Sequence, residues 1–443
     1  MATNVELTID MITQAGLIVL KNMLGVGNRC IREYDGDFGE EGAKIGDNLR
    51  IRVPPRFLST VGPAPAQQNF TETYKEIAAQ TQRNILLSWS SKELSLAMDD
   101  FADHVIAPVM AQLASDIDGD GLLAATQGIT VTNSGYFTAN YAGGYAGVGG
   151  LVTPGTSSVH SGPAPWTGAT LGVSASANTY LQEKPFFDGK AALTNQAAPG
   201  NERYCVLSPS AASAVAPGLT TLFNPQTEIS ELYKQGVIGT LAGAEFIESQ
   251  NIPTFTSGAW GANANVNVAM VNGDSTVTVG AFSSGNTVVA GDQFVVDGVL
   301  SVNPLSRMST GQLQVFTVTA ANTANAGNGG VFSVYPTING PGQQFQTVNS
   351  LAAKGANVVF MGTSNTATAV NLMYQKNALA LAVAPLEDSL PGAEVSSAVD
   401  PENGLSIRYV RQYVATTDQT VRRLDILYGW AVVRPELGVR IQA

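Results

Sequence analysis

The feature that most constrains this chain is a change of hydrophobic pattern at residues 257–368. This segment carries short runs rich in β-branched and aromatic residues, among them STVTVG, QFVVDGVLSV, LQVFTVTA, GVFSVYPTI and ANVVFMG. Glycine, asparagine, serine and proline separate the runs, as they do at turns between neighbouring strands. The even spacing predicts a small β-barrel or β-sandwich. Because the pattern changes at both ends, we interpret 257–368 as a β domain inserted into a mixed α+β host.

Two helices are predicted in the N-terminal part of this host. Residues 7–24 carry apolar side chains at approximately helical spacing, and such a helix is apolar enough to need a partner surface. Residues 99–117 show the clearest amphipathic pattern, with Asp99 or Asp100 as candidate N-cap and Pro108 as the expected position of a kink. The apolar stripe of this helix consists of Phe101, Val105, Ile106, Val109, Met110, Leu113 and Ile117.

An extended hairpin is predicted between the two helices. Residues 48–54 and 81–90 alternate as strands do, and a segment rich in proline and small residues connects them. A two-stranded hairpin of this kind is marginal when isolated in water. The strand residues expected at a contact with a neighbouring subunit, or at the base of the hairpin, are Ile51, Val53, Ile85 and Leu87.

The remaining segments alternate between loop, helix and strand patterns. Residues 134–173 are rich in Gly, Ser, Thr and Pro and predict a long surface loop. A helix is predicted around 175–196, followed by a strand at RYCVLSP and by helical pieces to about residue 235. Residues 245–255 are expected to be extended, and 371–443 to form long strands.

Composition narrows the possible classes of protein. Charged residues make up only 13% of the chain, against about 25% in typical soluble proteins. Burial of the surface against neighbouring subunits explains this deficit, and so does a surface rich in Gly, Ser, Thr and Asn. The net charge of -12 and the lack of a basic stripe argue against a nucleic-acid-binding module, although an acidic protein can enclose DNA without gripping it.

Cysteine usage and the N-terminal sequence give further expectations. Cys30 and Cys205 are far apart in sequence and are predicted to be reduced thiols. The first residues have no basic region before an apolar stretch, so no secretory signal is predicted. The chain has no run of about 18 apolar residues, so no membrane span is predicted either.

A search for catalytic chemistry finds no enzyme motif. We interpret His104 as a structural histidine of the main helix and His160 as a solvated loop residue. The chain has no G-x-S-x-G elbow, no Walker-type loop, no H-E-x-x-H and no clean G-x-G-x-x-G. We therefore predict no catalytic, cofactor-binding or metal-binding residues and no cofactor.

One motif favours a metal ion at first sight. Residues 116–121 read DIDGDG, the opening of a loop in which carboxylates converge on Ca²⁺. The twelfth position of such a loop should be a glutamate, and here it is the neutral Gln127. We favour the alternative, in which Asp116, Asp118 and Asp120 lie on an acidic continuation of the long helix.

A collinear set of short stretches is informative as a whole. The set comprises QFVVDGV at 293–299, VNP at 302–304, QVFTV at 314–318, LDILYG at 424–429 and RPE at 434–436, with further stretches at 199–209, 236–253 and 371–382. In this order they resemble the coat protein family of the short-tailed Salmonella phages. No single stretch is a sharp motif, but together the similarity extends over nearly the whole chain.

The resemblance implies a fold and a division of the chain. The fold would be the HK97-like capsid fold of tailed phages and herpesviruses, an α+β fold, here with an inserted all-β, barrel-like domain. The implied segments are an N-terminal arm at 1–35, an extended loop at 36–92, the spine helix of the peripheral domain at 93–133, an axial domain at 134–256, the inserted domain at 257–368 and C-terminal strands at 369–443.

The resemblance also implies a function, that of a structural protein and not an enzyme. Such a major capsid protein self-assembles as pentamers and hexamers into an icosahedral head shell around double-stranded DNA, in the cytoplasm of the host bacterium. A scaffolding protein would act during assembly, a portal protein would occupy one vertex, and the procapsid would expand on packaging. DNA would be enclosed without sequence-specific binding, and no membrane would be involved. By position, Glu6 and Asp10 are candidates for scaffold contacts.

Two other classes of protein compete with this interpretation. A virion decoration or receptor-binding protein would also be rich in β structure. The long apolar helix and the mixed host argue against it, as does the lack of the sequence repeats that trimeric fibres show. A hydrolase on a β scaffold has no motif in its favour.

Overall fold

The computed structural model describes residues 9–32, 48–57, 73–90, 106–129, 131–132, 184–213, 239–260, 264–324, 329–362, 364–400 and 404–442. The chain forms two compact units, each assembled from discontinuous segments. Unit 1 comprises Met1–Val53, Glu72–Leu122 and Leu379–Val433, and unit 2 comprises Pro54–Thr71, Leu123–Ala378 and Arg434–Ala443. The finer division into six segments stays a prediction.

The elements alternate between a few helices and many strands. The helices are α1 (Ile9–Met23), α2 (Ala107–Gly128) and α3 (Lys184–Asn195). The strands are β1 (Asn48–Val53), β2 (Thr73–Ala78), β3 (Thr81–Ser90), β4 (Val131–Thr132), β5 (Arg203–Leu207), β6 (Thr240–Leu241), β7 (Ala244–Glu248), β8 (Thr254–Thr256), β9 (Ala264–Val266), β10 (Asp274–Gly280), β11 (Thr287–Val288), β12 (Gln293–Val302), β13 (Ser309–Val318), β14 (Asn322–Thr323), β15 (Gly329–Ile338), β16 (Asn357–Phe360), β17 (Ala367–Gln375), β18 (Leu379–Ala384), β19 (Glu394–Asp400), β20 (Leu405–Val414), β21 (Gln419–Val432) and β22 (Gly438–Gln442).

The two predicted N-terminal helices are confirmed. α1 occupies most of 7–24, and α2 confirms the predicted 99–117 helix over its described part and extends it to Gly128. Pro108 lies in the first described turn of α2, and the residues before 106 lie outside the described ranges, so the kink expected at Pro108 stays a prediction. The stripe residues that are described are all buried, namely Ile106, Val109, Met110, Leu113 and Ile117. Outside the described residues lie Asp99, Asp100, Phe101 and Val105.

Unit 1 is built on a five-stranded antiparallel sheet that confirms the long C-terminal strands. Its central strand, β21, is 14 residues long. β21 pairs with β20 over residues 419–425, with β18 over residues 427–432 and with β3 over residues 419–428. β19 extends the sheet beyond β20. α1 packs close to this sheet and to α2. A Cβ built at Gly16 would lie 3.4 Å from Ile407 of β20 and 3.3 Å from Met110 of α2.

The predicted hairpin between 48–54 and 81–90 is wrong in its second strand. β1 pairs with β2, from Asn48 opposite Ala78 to Val53 opposite Thr73. β3 instead pairs with β21 over its whole length. The pairing of Ile85 and Leu87 at the hairpin base is therefore wrong as well, since they lie opposite Leu424 and Arg422 in the five-stranded sheet. Their contact with a neighbouring subunit stays a prediction. The physical reason is burial, because β3 joins a five-stranded sheet, whereas a hairpin strand gains only one neighbour.

Unit 2 contains the predicted β domain as a closed barrel. Its strand order is β10-β15-β13-β12-β16-β9, so every strand has a neighbour on both sides. The interior is apolar and aromatic, with the ring of Phe294 5.7 Å from those of Phe316 and Phe360. Phe282 and Phe332 lie edge to face at 5.3 Å. Such aromatic pairs add to the burial of a barrel that is too narrow to hold solvent.

A second sheet in unit 2 confirms the strands predicted before and after the barrel. Its order is β4-β22-β17-β5-β7-β6, and β8 pairs with β17. The predicted strand RYCVLSP contains β5, and the extended segment 245–255 contains parts of β7 and β8. α3 confirms the helix predicted around 175–196 and packs near this sheet, with the Met373 sulfur 3.1 Å from a Cβ built at Gly189.

A buried pair of opposite charges lies where β12 begins. Asp292 is 1% exposed and accepts hydrogen bonds from the backbone N–H groups of Gly258 and Val289. Arg440 of β22 is fully buried, donates to the carbonyl oxygen of Gly291, and lies 4.8 Å from the ring centre of Phe255. Burial raises the pKa of Asp292 to about 7 and lowers the pKa of Arg440 to about 10. Both pKa shifts have the same cause, because burial disfavours the charged form of each side chain.

Both cysteines are free and buried, as the sequence predicted for reduced thiols. Burial raises the pKa of Cys30 to about 12. The pKa of Cys205 is raised for the same reason. Because the thiolate is the reactive form, neither side chain is set up to act as a nucleophile.

Candidate functional site

The DIDGDG segment lies within α2 and does not form a calcium loop. α2 is continuous through 116–121, as the interpretation we favoured requires. At about 100° per residue, Asp118 points almost opposite to Asp116 and Asp120. Their carboxylates therefore do not converge on one centre, and among the described residues no cluster of His, Cys, Asp and Glu has the arrangement of a metal site.

Asp118 holds the turn that follows α1. Its carboxylate accepts hydrogen bonds from the backbone N–H groups of Gly25 at 2.7 Å, Val26 at 3.2 Å and Gly27 at 2.9 Å. Three successive N–H groups that converge in this way form a small anion-binding nest. Burial raises the pKa of Asp118, and the three N–H donors and Arg32 oppose the shift. One carboxylate of α2 thus fixes the N-terminal segment to the core of unit 1.

The two glycines of this turn allow the close approach. A Cβ at Gly25 would lie 3.2 Å from the Asp118 carboxylate, and one at Gly27 would lie 3.2 Å from Leu24. The chain beyond the turn joins the sheet, because the Ile31 N–H donates to Leu379 and the Ile31 carbonyl accepts from Leu381. The N-terminal segment is therefore attached both to α2 and to β18.

Asp120 connects the same helix to the sheet. Its carboxylate accepts two hydrogen bonds of 3.0 Å from Arg83 of β3, and it also accepts the hydroxyl of Tyr428 of β21. Burial raises the pKa of Tyr428, and its bond to Asp120 acts in the same direction. β3 and β21 are neighbours in the sheet, so one carboxylate ties α2 to both strands.

Gly121 lets the helix lie directly against the sheet. A Cβ at this position would approach the indole of Trp430 to 2.6 Å. The indole N–H donates to the carbonyl oxygen of Ile117 at 3.0 Å. The acidic, glycine-containing segment that resembles a calcium loop therefore serves as a contact surface between helix and sheet.

The outer part of the hairpin has a separate anchor in unit 2. Arg56 lies 3.5 Å from Glu436, which also accepts from Arg434 at 3.2 Å and from the hydroxyl of Tyr335 at 3.3 Å. Gln344 of the barrel donates to the Arg56 carbonyl oxygen at 2.7 Å. The chain just before residue 58 is therefore held by the barrel and by the segment before β22.

Most of the other residues that the sequence singled out are not part of these contacts. Asp10 is exposed in the first turn of α1. Glu6, His104, His160 and the predicted loop 134–173 lie outside the described residues. Sequence reasoning missed Arg83, Tyr428 and Trp430, because nothing local to them indicates that they meet α2. Within the described ranges, no helix is both long and apolar enough to cross a membrane.

Comparisons with known proteins were made against curated proteins, solved structures and family models. No curated protein matches the chain. Among solved structures, the chain is similar to one from Mycobacterium phage Che8, with 13% identity and a TM-score of 0.41, and with 94% of this chain and 90% of that chain covered. The capsid of the cyanophage P-SCSP1u is similar at 12% identity and a TM-score of 0.43, with 94% and 89% covered. The I-domain of the CUS-3 coat protein matches 25% of this chain over 98% of its own length, at 20% identity and a TM-score of 0.18.

The assignment itself rests on a family model. The model described as "P22 coat protein - gene protein 5" matches residues 185–442, which is more than half of the chain. The matched region contains nearly all of α3, the barrel, every strand of the seven-stranded sheet except β4, and the C-terminal strands of unit 1. The mixed helix and strand content with an inserted closed barrel is the α+β capsid fold expected from the sequence. The chain therefore belongs to the P22 coat protein family, and it is a structural protein, the major capsid protein that forms a phage head shell.

Proposed function

We propose that this coat protein assembles as pentamers and hexamers into an icosahedral shell that encloses double-stranded DNA. The observation that carries the proposal is the family match over residues 185–442. Assembly would take place in the cytoplasm of the host bacterium, with a scaffolding protein as partner. A portal protein would occupy one vertex, and the shell would expand when DNA is packaged.

The charge of the chain supports a container that does not grip its contents. The net charge is -12, and strong DNA binding needs many cationic contacts to phosphates. Several of the described arginines are occupied within the fold, as Arg408 is by Asp425 at 2.6 Å. DNA would therefore be confined by the shell without sequence-specific binding.

The hairpin supports a role in contacts between subunits. Its base is fixed in unit 1, where Leu49 and Ile77 are buried and pack in one cluster with Ala380, Ala382 and Val433. Within the described part of the chain, the strands β1 and β2 pair only with each other. A two-stranded ribbon offers few apolar contacts to offset its ordering entropy, so a neighbouring subunit would stabilise it.

Electron microscopy of the expressed protein tests the function. We expect closed shells when the coat protein is produced together with its scaffolding protein. Deletion of residues 58–72 should leave a folded subunit, as measured by circular dichroism, that sediments without forming shells. Normal particles from the deletion variant would show that the hairpin is dispensable for assembly, and an unfolded variant would place it in the subunit core.

A further inference from the structure

The loop between β12 and β13 presents the most exposed large apolar side chains of the described chain. Leu305 is 79% exposed and Met308 is 71% exposed. Scattered single apolar residues on a surface are normal, but two at the tip of one short loop are a concentrated patch. Phe57 is 61% exposed, and its carbonyl oxygen accepts a hydrogen bond from Arg307 of the same loop.

The loop is fixed in one conformation by Asn303. The side-chain oxygen of Asn303 accepts the N–H groups of Leu305 at 2.9 Å and Ser306 at 3.0 Å. Its side-chain amide donates to the carbonyl oxygen of Asn195, at the end of α3. The backbone of Asn303 also pairs with that of Met308 at 3.0 Å. A rigid loop of this kind loses little conformational entropy when a partner covers it.

Arg307 connects the loop to the outer part of the hairpin. Its φ of 58° lies in the left-handed region, which is strained for a residue other than glycine. Its guanidinium group donates to the carbonyl oxygens of Gln344 at 3.1 Å, Gln343 at 3.4 Å and Phe57 at 3.4 Å. These bonds offset the backbone strain and bring the main chain of Phe57 beside the loop.

The chemistry of this patch selects its partner. Arg307 is the only charged residue of the loop 303–308, and its guanidinium group is engaged with carbonyl oxygens. A nucleic acid would need cations for its phosphates, so it does not fit the patch. The surface of three side chains is also far smaller than the roughly 1,600 Å² that a stable isolated complex buries. The patch suits a weak contact that is repeated together with many others, as in a shell of identical subunits.

We propose that Leu305, Met308 and Phe57 form a contact surface for a second copy of this coat protein in the assembled shell. Arg307 acts as the positioning residue that keeps the patch in shape. The occupant is a second copy because the protein's function surrounds each subunit with copies of itself. The proposal rests on the coat function and goes beyond it by naming the surface.

Cysteine labelling tests the contact directly. Both native cysteines are buried, so Leu305→Cys introduces a thiol that a maleimide reagent can reach without competition from them. We expect rapid labelling of the unassembled variant and at least tenfold slower labelling in empty shells that contain only the coat protein. Equal rates in subunits and shells would overturn the proposal, and so would protection that appears only when another protein species is present in the particles.

A charge variant provides an independent test. Leu305→Asp combined with Met308→Asp should leave the circular dichroism spectrum of the subunit unchanged, because both side chains are exposed, and should reduce the yield of shells at least tenfold. Val331→Asp is the matched control, since Val331 is 52% exposed on β15 of the same barrel and lies outside the patch. The proposal fails if the double variant yields as many shells as the control. Absence of shells from the wild-type protein would instead refute the coat function itself.

Discussion

Replacement of Asp118 by alanine should detach the N-terminal segment from α2. The change leaves three backbone N–H groups without their acceptor, and the bonds from Val26 and Gly27 are buried. A buried donor without a partner costs about 1–3 kcal/mol. Removal of the buried carboxylate offsets part of this cost, because burial disfavours the charged form of Asp118 and raises its pKa. We expect a net loss of about 2–4 kcal/mol, a large part of a typical folding free energy of about 5–15 kcal/mol.

Urea denaturation of the unassembled subunit, followed by circular dichroism, measures this loss. Asp116→Ala is the matched control in the same helix, because the recorded side-chain partner of Asp116 is the exposed Gln112. The control should change the free energy of unfolding by less than about 0.5 kcal/mol. Asp118→Asn keeps one acceptor oxygen without the charge and should fall between the two. If Asp118→Ala and Asp116→Ala unfold at the same urea concentration, the carboxylate does not stabilise the turn.

Three further predictions follow from the packing and from the buried charges. Gly121→Ala should destabilise the subunit by about 1–3 kcal/mol in the same urea assay, because its Cβ would overlap the indole of Trp430; Gly200→Ala, which has open space around it, should not. The segment 257–368 should fold alone, giving dispersed amide NMR signals and a β-type circular dichroism spectrum; collapsed signals or dominant helix would contradict the boundary. The pKa of Asp292 is raised to about 7, so the folded state binds more protons than the unfolded state between about pH 4 and 7, and stability should fall as pH rises through that window. Asp292→Asn should remove this contribution, which is at most about 1.4 kcal/mol per pH unit, and an unchanged slope in urea titrations would count against it.

The sequence predicted the elements best where the pattern is local. The inserted barrel is visible in 257–368 because short apolar runs and turn residues are properties of neighbouring positions. The burial of the stripe on α2 follows from a repeat of 3.6 residues, which the chain carries in itself. The family resemblance gave the class of protein, and the family model matches residues 185–442.

The sequence by itself thus determined the types of element, the inserted barrel and the class of protein. Only the tertiary structure decided that β3 pairs with β21 across more than 300 positions of the chain, since the strand pattern of 81–90 fits any partner with a free edge. The role of the acidic segment 116–121 in α2 was also decided only by the tertiary structure. A calcium loop needs carboxylates at these spacings. A helix whose carboxylates bind Arg83 and the backbone turn after α1 needs them at the same spacings. What separates them is the direction of each side chain, which is fixed when the helix packs against its neighbours.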